Sequence, residues 1–369
     1  MIPEFMTMIG KVKPTGDRYI LDVCPFCGGS NTFEFIGKCG LWGCRKCSGG
    51  KQYQFKHLKA LLVQTESFSE VGKRLPEPLK PDGLINISGF ADKRNGHRIS
   101  TGFNRLDRVL GGFADGAMTV ITGATGNGKS TLLGQIALNA IEDGEKVCFY
   151  SGELSTALFQ EWLFAQAAGA RYLIPVTDRF GETEFLIESE AEKHVRQWLK
   201  DKLILYDNEV TQDIKHNDIL ARFEEARQYY GCTLFIADNL MSASFLEPTS
   251  EDAWHKEANF AQALLNFTKY NKVHSILVAH PKKAGTGENI GDIAGLSKIT
   301  SIASNVCGIM KIEDEQEQIK EGGDSQLTVI KNRERGKTGK ITMNFDVKTK
   351  RFLPTKGGYT EKYSWEELW

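Results

Sequence analysis

Apolar residues recur along the chain in short runs, and their spacing alternates between two periods. Met118-Thr119-Val120-Ile121-Thr122, Lys146 to Ser151, Thr233 to Ala237 and Ser275 to Ala279 are continuous apolar runs, the pattern of strands buried on both faces. A shorter strand is predicted over Leu203 to Tyr206. Between these runs, Ser130 to Ile141, the stretch ending near Ala168, Ile214 to Tyr230 and Glu257 to Tyr270 carry helical spacing. Ile309 to Ile312, Gln326 to Lys331 and Lys340 to Phe345 read as later strands. Strand and helix in alternation predict an α/β fold with a mostly parallel sheet covered on both faces. Upstream, Phe55 to Arg74 predicts a helix with Phe55, Leu58, Leu61 and Leu62 on one face. Pro76, Pro78 and Pro81 then break regular structure, so Gly72 to Arg98 reads as a linker or arm. No internal repeat is evident.

Composition narrows the class. With 369 residues the chain is long enough for two domains and a full core without disulfides. Lys plus Arg (46) nearly balances Asp plus Glu (47), which excludes a bulk-basic nucleic-acid binder but leaves room for a locally basic channel. No apolar run is long enough to span a bilayer, and no apolar signal core opens the chain, so no membrane role and a cytoplasmic setting are expected. A mitochondrial setting is compatible with the same features. Met1-Ile2-Pro3-Glu4-Phe5 reads as an added leader, with Met6 or Met8 as the native start.

Five of the eight cysteines lie between residues 24 and 47. Cys24-Pro25-Phe26-Cys27 and Cys44-Arg45-Lys46-Cys47 form two CxxC pairs with sixteen residues between them, the spacing of a zinc ribbon. Each turn directs two thiolates to one side of a Zn2+ ion, and two turns complete the tetrahedron. Cys39 is a spare thiol able to replace one ligand, and Cys148, Cys232 and Cys307 sit in apolar runs as core residues. Two roles stand open for the ribbon: a folding staple, or a single-strand contact built from Phe33, Phe35, Lys38, Trp42, Arg45 and Lys46.

Gly123-Ala124-Thr125-Gly126-Asn127-Gly128-Lys129-Ser130 fits GxxxxGK[ST], and Thr131 follows it. A strand ends at Thr122 and a helix begins near Lys129, the context in which backbone N–H groups wrap phosphates. Lys129 is expected to bridge the β- and γ-phosphates of ATP, and the Ser130 hydroxyl to ligate Mg2+. Asp238, ending the apolar strand from Thr233, suits the second magnesium contact. Glu153, just past the strand ending at Ser151, is placed to orient or deprotonate the attacking water. His280, after the strand ending at Ala279, could hydrogen-bond the γ-phosphate. Lys331-Asn332-Arg333 puts cations at a strand end, where they could act in trans on a neighbour's nucleotide; a solvated basic turn is the alternative.

Taken together these elements resemble the RecA-like motor of hexameric replicative helicases, superfamily 4, with the Twinkle and phage primase-helicase pattern nearest and the DnaB type further off. The resemblance rests on Thr101-Gly102-Phe103-Asn104-Arg105-Leu106-Asp107 leading to Gly111-Gly112, the P-loop, Ser151-Gly152-Glu153-Leu154-Ser155, Ile236-Ala237-Asp238-Asn239-Leu240, His280-Pro281-Lys282-Lys283 and Lys331-Asn332-Arg333. It implies a catalytic Glu153, a Walker B Asp238, a γ-phosphate sensor at His280, and Lys331 and Arg333 presented to the adjacent subunit. It also implies single-stranded DNA held in the channel of a homo-oligomeric, hexameric ring by two segments, about Met241 to Ser250 and Lys282 to Asp292, with Lys282, Lys283 and Lys298 as basic contacts. Primase, polymerase or a single-strand-binding protein are the partners it suggests. The expected division is a start over 1–12, a zinc ribbon over 13–54, a linker helix and arm over 55–99, the ATPase domain over 100–354 and a tail over 355–369. Only about fifty residues separate Gly50 from Ser100, too few for a primase core. The Phe55 to Arg74 helix would instead link subunits. The rival readings are a RadA/Sms-like recombination ATPase and an ATP-binding ring or loader subunit without unwinding activity. The aromatic, acidic end Tyr363 to Trp369 could dock a partner or pack on its own domain.

Overall fold

The computed structural model describes residues 10–36, 41–46, 52–54, 96–206, 216–238, 250–279, 297–355, 358 and 362–368. The chain divides into two compact units, residues 1–93 and 94–369. The predicted helix over Phe55 to Arg74 and both predicted DNA segments, apart from Ser250, lie outside the described residues.

The first unit is an antiparallel meander of five strands, β1 (Val12–Thr15), β2 (Arg18–Val23), β3 (Ser30–Ile36), β4 (Leu41–Cys44) and β5 (Tyr53–Gln54), hydrogen-bonded in chain order. Alternation along β3 turns Phe33 and Phe35 inward, and Trp42 of β4 joins them. Phe33 stacks on Trp42 at 5.5 Å between centroids, and Phe26 leans on both rings. With the buried Leu21 of β2, these aromatics form the small core of the meander.

The second unit opens with β6 (Arg98–Ile99), α1 (Asn104–Leu110) and β7 (Phe113–Ala114), in which β6 pairs with β7. Arg98, expected in the linker, is thus already in a strand. Next come β8 (Met118–Thr122), α2 (Lys129–Glu142), β9 (Val147–Ser151), α3 (Thr156–Ala168), the hairpin β10 (Leu173–Thr177) and β11 (Thr183–Ile187), α4 (Ser189–Leu199) and β12 (Leu203–Leu205). The chain continues through α5 (His216–Tyr230), β13 (Leu234–Asp238), α6 (Ser250–Asn271), β14 (His274–Ala279), α7 (Ser297–Ile302), β15 (Asn305–Lys311), α8 (Glu315–Glu321), β16 (Ser325–Asn332), β17 (Gly339–Asp346) and β18 (Arg351–Leu353).

Nine of these strands form one sheet in the order β12-β9-β13-β14-β8-β15-β16-β17-β18. The first six run parallel, and the last three extend the sheet antiparallel. This is the mostly parallel α/β arrangement that the alternation predicts, and it fits the RecA-like fold that the resemblance implies. The central strands β8, β9, β13 and β14 are buried at every position, as expected for strands covered on both faces. On one face Phe149, Ile236 and Val278 meet α2, α3 and α4 residues such as Leu133, Leu163 and Val195. On the other, Tyr150, Phe235 and Leu277 meet Phe223 of α5, Leu264 of α6 and Ile299 of α7.

The aromatic end packs on its own unit. Tyr363 and Trp365 are buried in the first of these clusters. The Tyr363 hydroxyl donates to Asn139 of α2 at 2.8 Å, and the Trp365 indole N–H donates to the Ala167 carbonyl at 3.0 Å. Among the described residues no helix is long and apolar enough to cross a membrane.

Candidate functional site

The loop after β8 owes its shape to its glycines. Gly123 has φ of 154°, and a Cβ there would collide with the carbonyl oxygen of Ile309 on neighbouring β15. Gly128 has φ of 83°, and a Cβ there would stand 2.7 Å from the Phe352 ring. The crest is pinned sideways by Asn127, whose amide donates to Ile309 O at 3.1 Å. The loop therefore feeds directly into the N-terminus of α2, whose first turn carries no acidic residue against an incoming anion.

Lys129 is buried, and its ammonium donates to the carbonyls of Gly123 (2.9 Å) and Ala124 (3.0 Å). Burial lowers its pKa, against the opposing charges of Asp238 and Glu153. Asp238, the last residue of β13, is buried too. Burial pushes its carboxyl up to about 6; the Ser130 hydrogen bond and the Lys129 charge pull it down, while Glu153 adds to the rise. The three charged groups thus act on one another, and Ser130 bonds the acid with which it is expected to share Mg2+. A hydroxyl and a carboxylate beside a phosphate cradle are hard oxygen donors that fit this ion. Bound there, magnesium would neutralise phosphate charge.

Glu153 reaches the site through the backbone. Gly152 N–H donates to the Asp238 carbonyl at 3.0 Å, which ties the turn after β9 to the end of β13. Glu153 is exposed in that turn, and Ser155 then caps α3 by accepting from Leu158 N–H. His280 lies outside the described residues. Its strand ends at Ala279, in register with Thr122 of β8, so the chain leaves β14 beside the phosphate loop.

Lys331 and Arg333 stand elsewhere. Because β16 runs antiparallel to β15, its end at Asn332 pairs with Asn305, and Asn305 is level with Thr119 of β8. That is the amino edge of the parallel strands, whereas the phosphate loop leaves the carboxyl edge. At 3.3 Å of rise per residue the two edges are separated by roughly 10 Å of strand before any loop is counted. Lys331 donates to the carbonyls of Thr300 (2.7 Å) and Ser301 (3.0 Å), and Arg333 donates to Ser301 O at 2.5 Å. Burial and the Arg333 charge lower the Lys331 pKa. Asn332 points the other way, donating to Val109 O and accepting from Arg335 N–H, so it fixes the turn. Lys298 is exposed on α7, and Lys282 and Lys283 lie outside the described residues.

Sequence reasoning missed one support of the loop. Gln135 of α2 grips Phe352 of β18 through both backbone groups, at 3.1 and 2.8 Å, and so holds that ring against Gly128. A glutamine in an otherwise apolar helix was the available signal.

In the first unit the sulfurs of Cys24, Cys27 and Cys44 lie within 4.8 Å of one another; Cys47 lies outside the described residues. The Cys27 and Cys44 sulfurs are 3.7 Å apart. Four thiolates about 2.3 Å from a zinc ion have edges of about 3.8 Å, so the spacing fits zinc, and it is far too long for a disulfide. Burial raises the Cys24 thiol to about 11. The aromatic half of the strand-contact reading does not survive. Phe33, Phe35 and Trp42 are core residues of the meander and cannot stack on bases; Arg45 and Lys46 are exposed, and Lys38 lies outside the described residues.

Comparison with known proteins adds the family. Residues 98–354 match the family model described as DnaB-like helicase C terminal domain. The fold matches the ATPase domain of G40P, with a TM-score of 0.57 and 14% identity over 81% of this chain and 99% of that one. It also matches a DnaB-like replicative helicase studied with primase, with a TM-score of 0.55 and 15% identity over 81% of this chain and 73% of that one. Curated relatives include the DNA repair protein RadA of Campylobacter jejuni, 33% identical over 36% of this chain and 27% of that protein. The RadA of Listeria monocytogenes is 28% identical over 57% of this chain and 41% of that protein. The chain thus spans less than half the length of these RadA relatives.

Proposed function

The chain belongs to the DnaB-like helicase C-terminal domain family, and from that premise we propose that it is an ATP-driven motor that moves along single-stranded DNA as a ring of like subunits. One observation carries the reading: the phosphate loop and the Lys331–Arg333 pair occupy opposite edges of one sheet. If these cations serve a nucleotide, it is a neighbour's. ATP would lie between subunits, held by Lys129, Ser130 and Asp238 on one side and met by Arg333 and Lys331 from the other. Glu153 orients the water, and His280 reports the γ-phosphate. DNA is held by the segments after Asp238 and Pro281, with Lys282, Lys283 and Lys298 on its phosphates. Replication of DNA, with primase, polymerase or a single-strand-binding protein as partner, is the setting this motor suits.

ATP turnover measured with and without single-stranded DNA, alongside the assembly state, tests the proposal. DNA-stimulated turnover that appears only with assembly is expected; full turnover by a solitary chain would refute it. The matches to RadA favour a second reading, a recombination ATPase on the same core. Unwinding of a forked duplex against branch migration separates the two.

A further inference from the structure

Helix α1 ends at Gly111 in the left-handed conformation, and its last carbonyls find no partner within the helix. Two residues from elsewhere meet them. Asn332 donates to the Val109 carbonyl at 3.0 Å, and Arg98 of β6 donates to the Gly111 carbonyl at 3.2 Å. The same Arg98 guanidinium forms a two-pronged ion pair with Glu334: Nη1 donates to Oε2 at 2.9 Å, and Nη2 donates to Oε1. Arg335 completes the seat, since a Cβ on Gly111 would collide with its guanidinium. Both immediate neighbours of Arg333 are thus fastened to residues 98–111, on a stretch of chain far from the turn in sequence. Arg333 itself is exposed, with its backbone N–H on the Ser304 carbonyl. The side chains of Arg98 and Glu334 are 28% and 48% exposed, so their pairing contributes little to stability. What a planar fork on a carboxylate supplies at such a place is direction.

We propose that Arg98 and Glu334 are positioning residues, which aim Arg333 at the nucleotide of the neighbouring subunit. The inference rests on the trans reading of Arg333 made above. A long exposed side chain on a free turn samples many directions, and fixing the backbone on both sides of it narrows that range before any nucleotide arrives. A cation that stabilises charge developing on a transferred phosphoryl group has to be in place beforehand. Asn332 holds the near side of Arg333, and the Arg98–Glu334 fork holds the far side. Without the fork, the turn after β16 pivots on Asn332 and the guanidinium is displaced. Arg98 and Glu334 belong to the amino edge of the sheet, away from the phosphate loop of their own subunit. Their loss therefore acts on turnover through Arg333 and leaves the binding of ATP by Lys129, Ser130 and Asp238 as it was.

A double-mutant cycle on the full chain, assembled with single-stranded DNA, ATP and Mg2+, tests this. Arg98→Ala and Glu334→Gln are each expected to lower kcat about tenfold or more, the scale of a small misplacement at a reacting centre. KM for ATP is expected to stay within about twofold, because only transition-state stabilisation is lost. The charge exchange Arg98→Glu/Glu334→Arg should recover most of the loss. In an Arg333→Ala background, adding Arg98→Ala should lower kcat no further, since a residue that acts only through Arg333 has nothing left to aim. The thermal midpoint reports folding. Glu334→Gln alters an exposed side chain, so it decides the matter if Arg98→Ala does not fold. Full kcat in folded Glu334→Gln, or a further loss when Arg98→Ala is added to Arg333→Ala, overturns the positioning role and leaves the trans reading standing. Full turnover by Arg333→Ala alone overturns the trans reading, and the positioning role falls with it.

Discussion

At the scale of single residues, the loop that would cradle phosphates is shaped by what cannot be there. Gly123 sits under a carbonyl oxygen of the adjacent strand, at a backbone angle that side chains rarely adopt. Gly123→Ala is expected to cost roughly 1–3 kcal/mol of stability and to displace the loop. Chemical denaturation and nucleotide affinity together check this; unchanged values in both would show that β15 yields. The charged residues here were legible in the sequence because a strand, a glycine-rich turn and a GKS triplet occupy one short window. Asp238 and Glu153 were legible because each follows an apolar run. The partners of Lys331 and Arg333 were not, since both cations bind backbone carbonyls, and a carbonyl has no sequence signature. Phe33 and Trp42 misled for a related reason: an aromatic ring reads the same whether it will stack on a base or fill a small core.

Among elements, the buried strands were the readable part. β8 was found at its true bounds, whereas β15 starts at Asn305, four residues before the expected Ile309, because Asn305 and Gly308 interrupt the apolar run. The hairpin β10–β11 was missed. Its outer positions Ile174, Val176 and Leu186 are exposed, and Pro175 sits inside the first strand, so no alternation marks it. α4 had a signal in Ala191, Val195, Trp198 and Leu199, diluted by charge. One strand also carries a titrating group. His274, at the start of β14, is fully buried, with Nδ1 2.9 Å from the Ala114 carbonyl, Nε2 3.0 Å from the Thr119 hydroxyl, and the ring stacked on Phe113. A carbonyl only accepts, so Nδ1 carries the proton, and the neutral ring accepts from Thr119. Burial, opposed by the bond to Ala114, lowers its pKa to about 4. The unfolded chain takes up this proton near pH 6.5, before the folded chain does. Stability is therefore full above that pH and falls as acid is added toward pH 4, by on the order of 3 kcal/mol. Denaturation midpoints across pH 4 to 7 should show the slope, and His274→Gln should flatten it; an equal slope in the variant would assign it elsewhere.

The whole molecule joins an antiparallel meander to a unit built on a nine-stranded sheet, and the two depend on different forces. Without a large apolar interior the first unit leans on its cysteine cluster. A strong chelator is expected to release one zinc per chain and melt this unit alone, leaving the second at its original midpoint; a cooperative loss of both would link them. The second unit is closed by its own end. Trp365→Ala removes a fully buried indole that touches Tyr172 and the Ala167 carbonyl, and should cost about 3–5 kcal/mol. A smaller effect, read from the thermal midpoint, would mean that the tail is ornamental. The tail's aromatic pattern was visible in the sequence, but its destination was not, because the groove it fills is built from distant helices.

The distance between the two edges of the sheet has a genetic corollary. A copy crippled by Lys129→Ala keeps a sound Arg333, and a copy crippled by Arg333→Ala keeps a sound Lys129. On the proposed reading each is expected to be inert by itself, yet where one abuts the other in the right order, every part of a working junction is present. Mixing the two dead proteins should therefore revive ATP turnover to a fraction fixed by the statistics of adjacency. A mixture as silent as its components would mean that the two halves never meet.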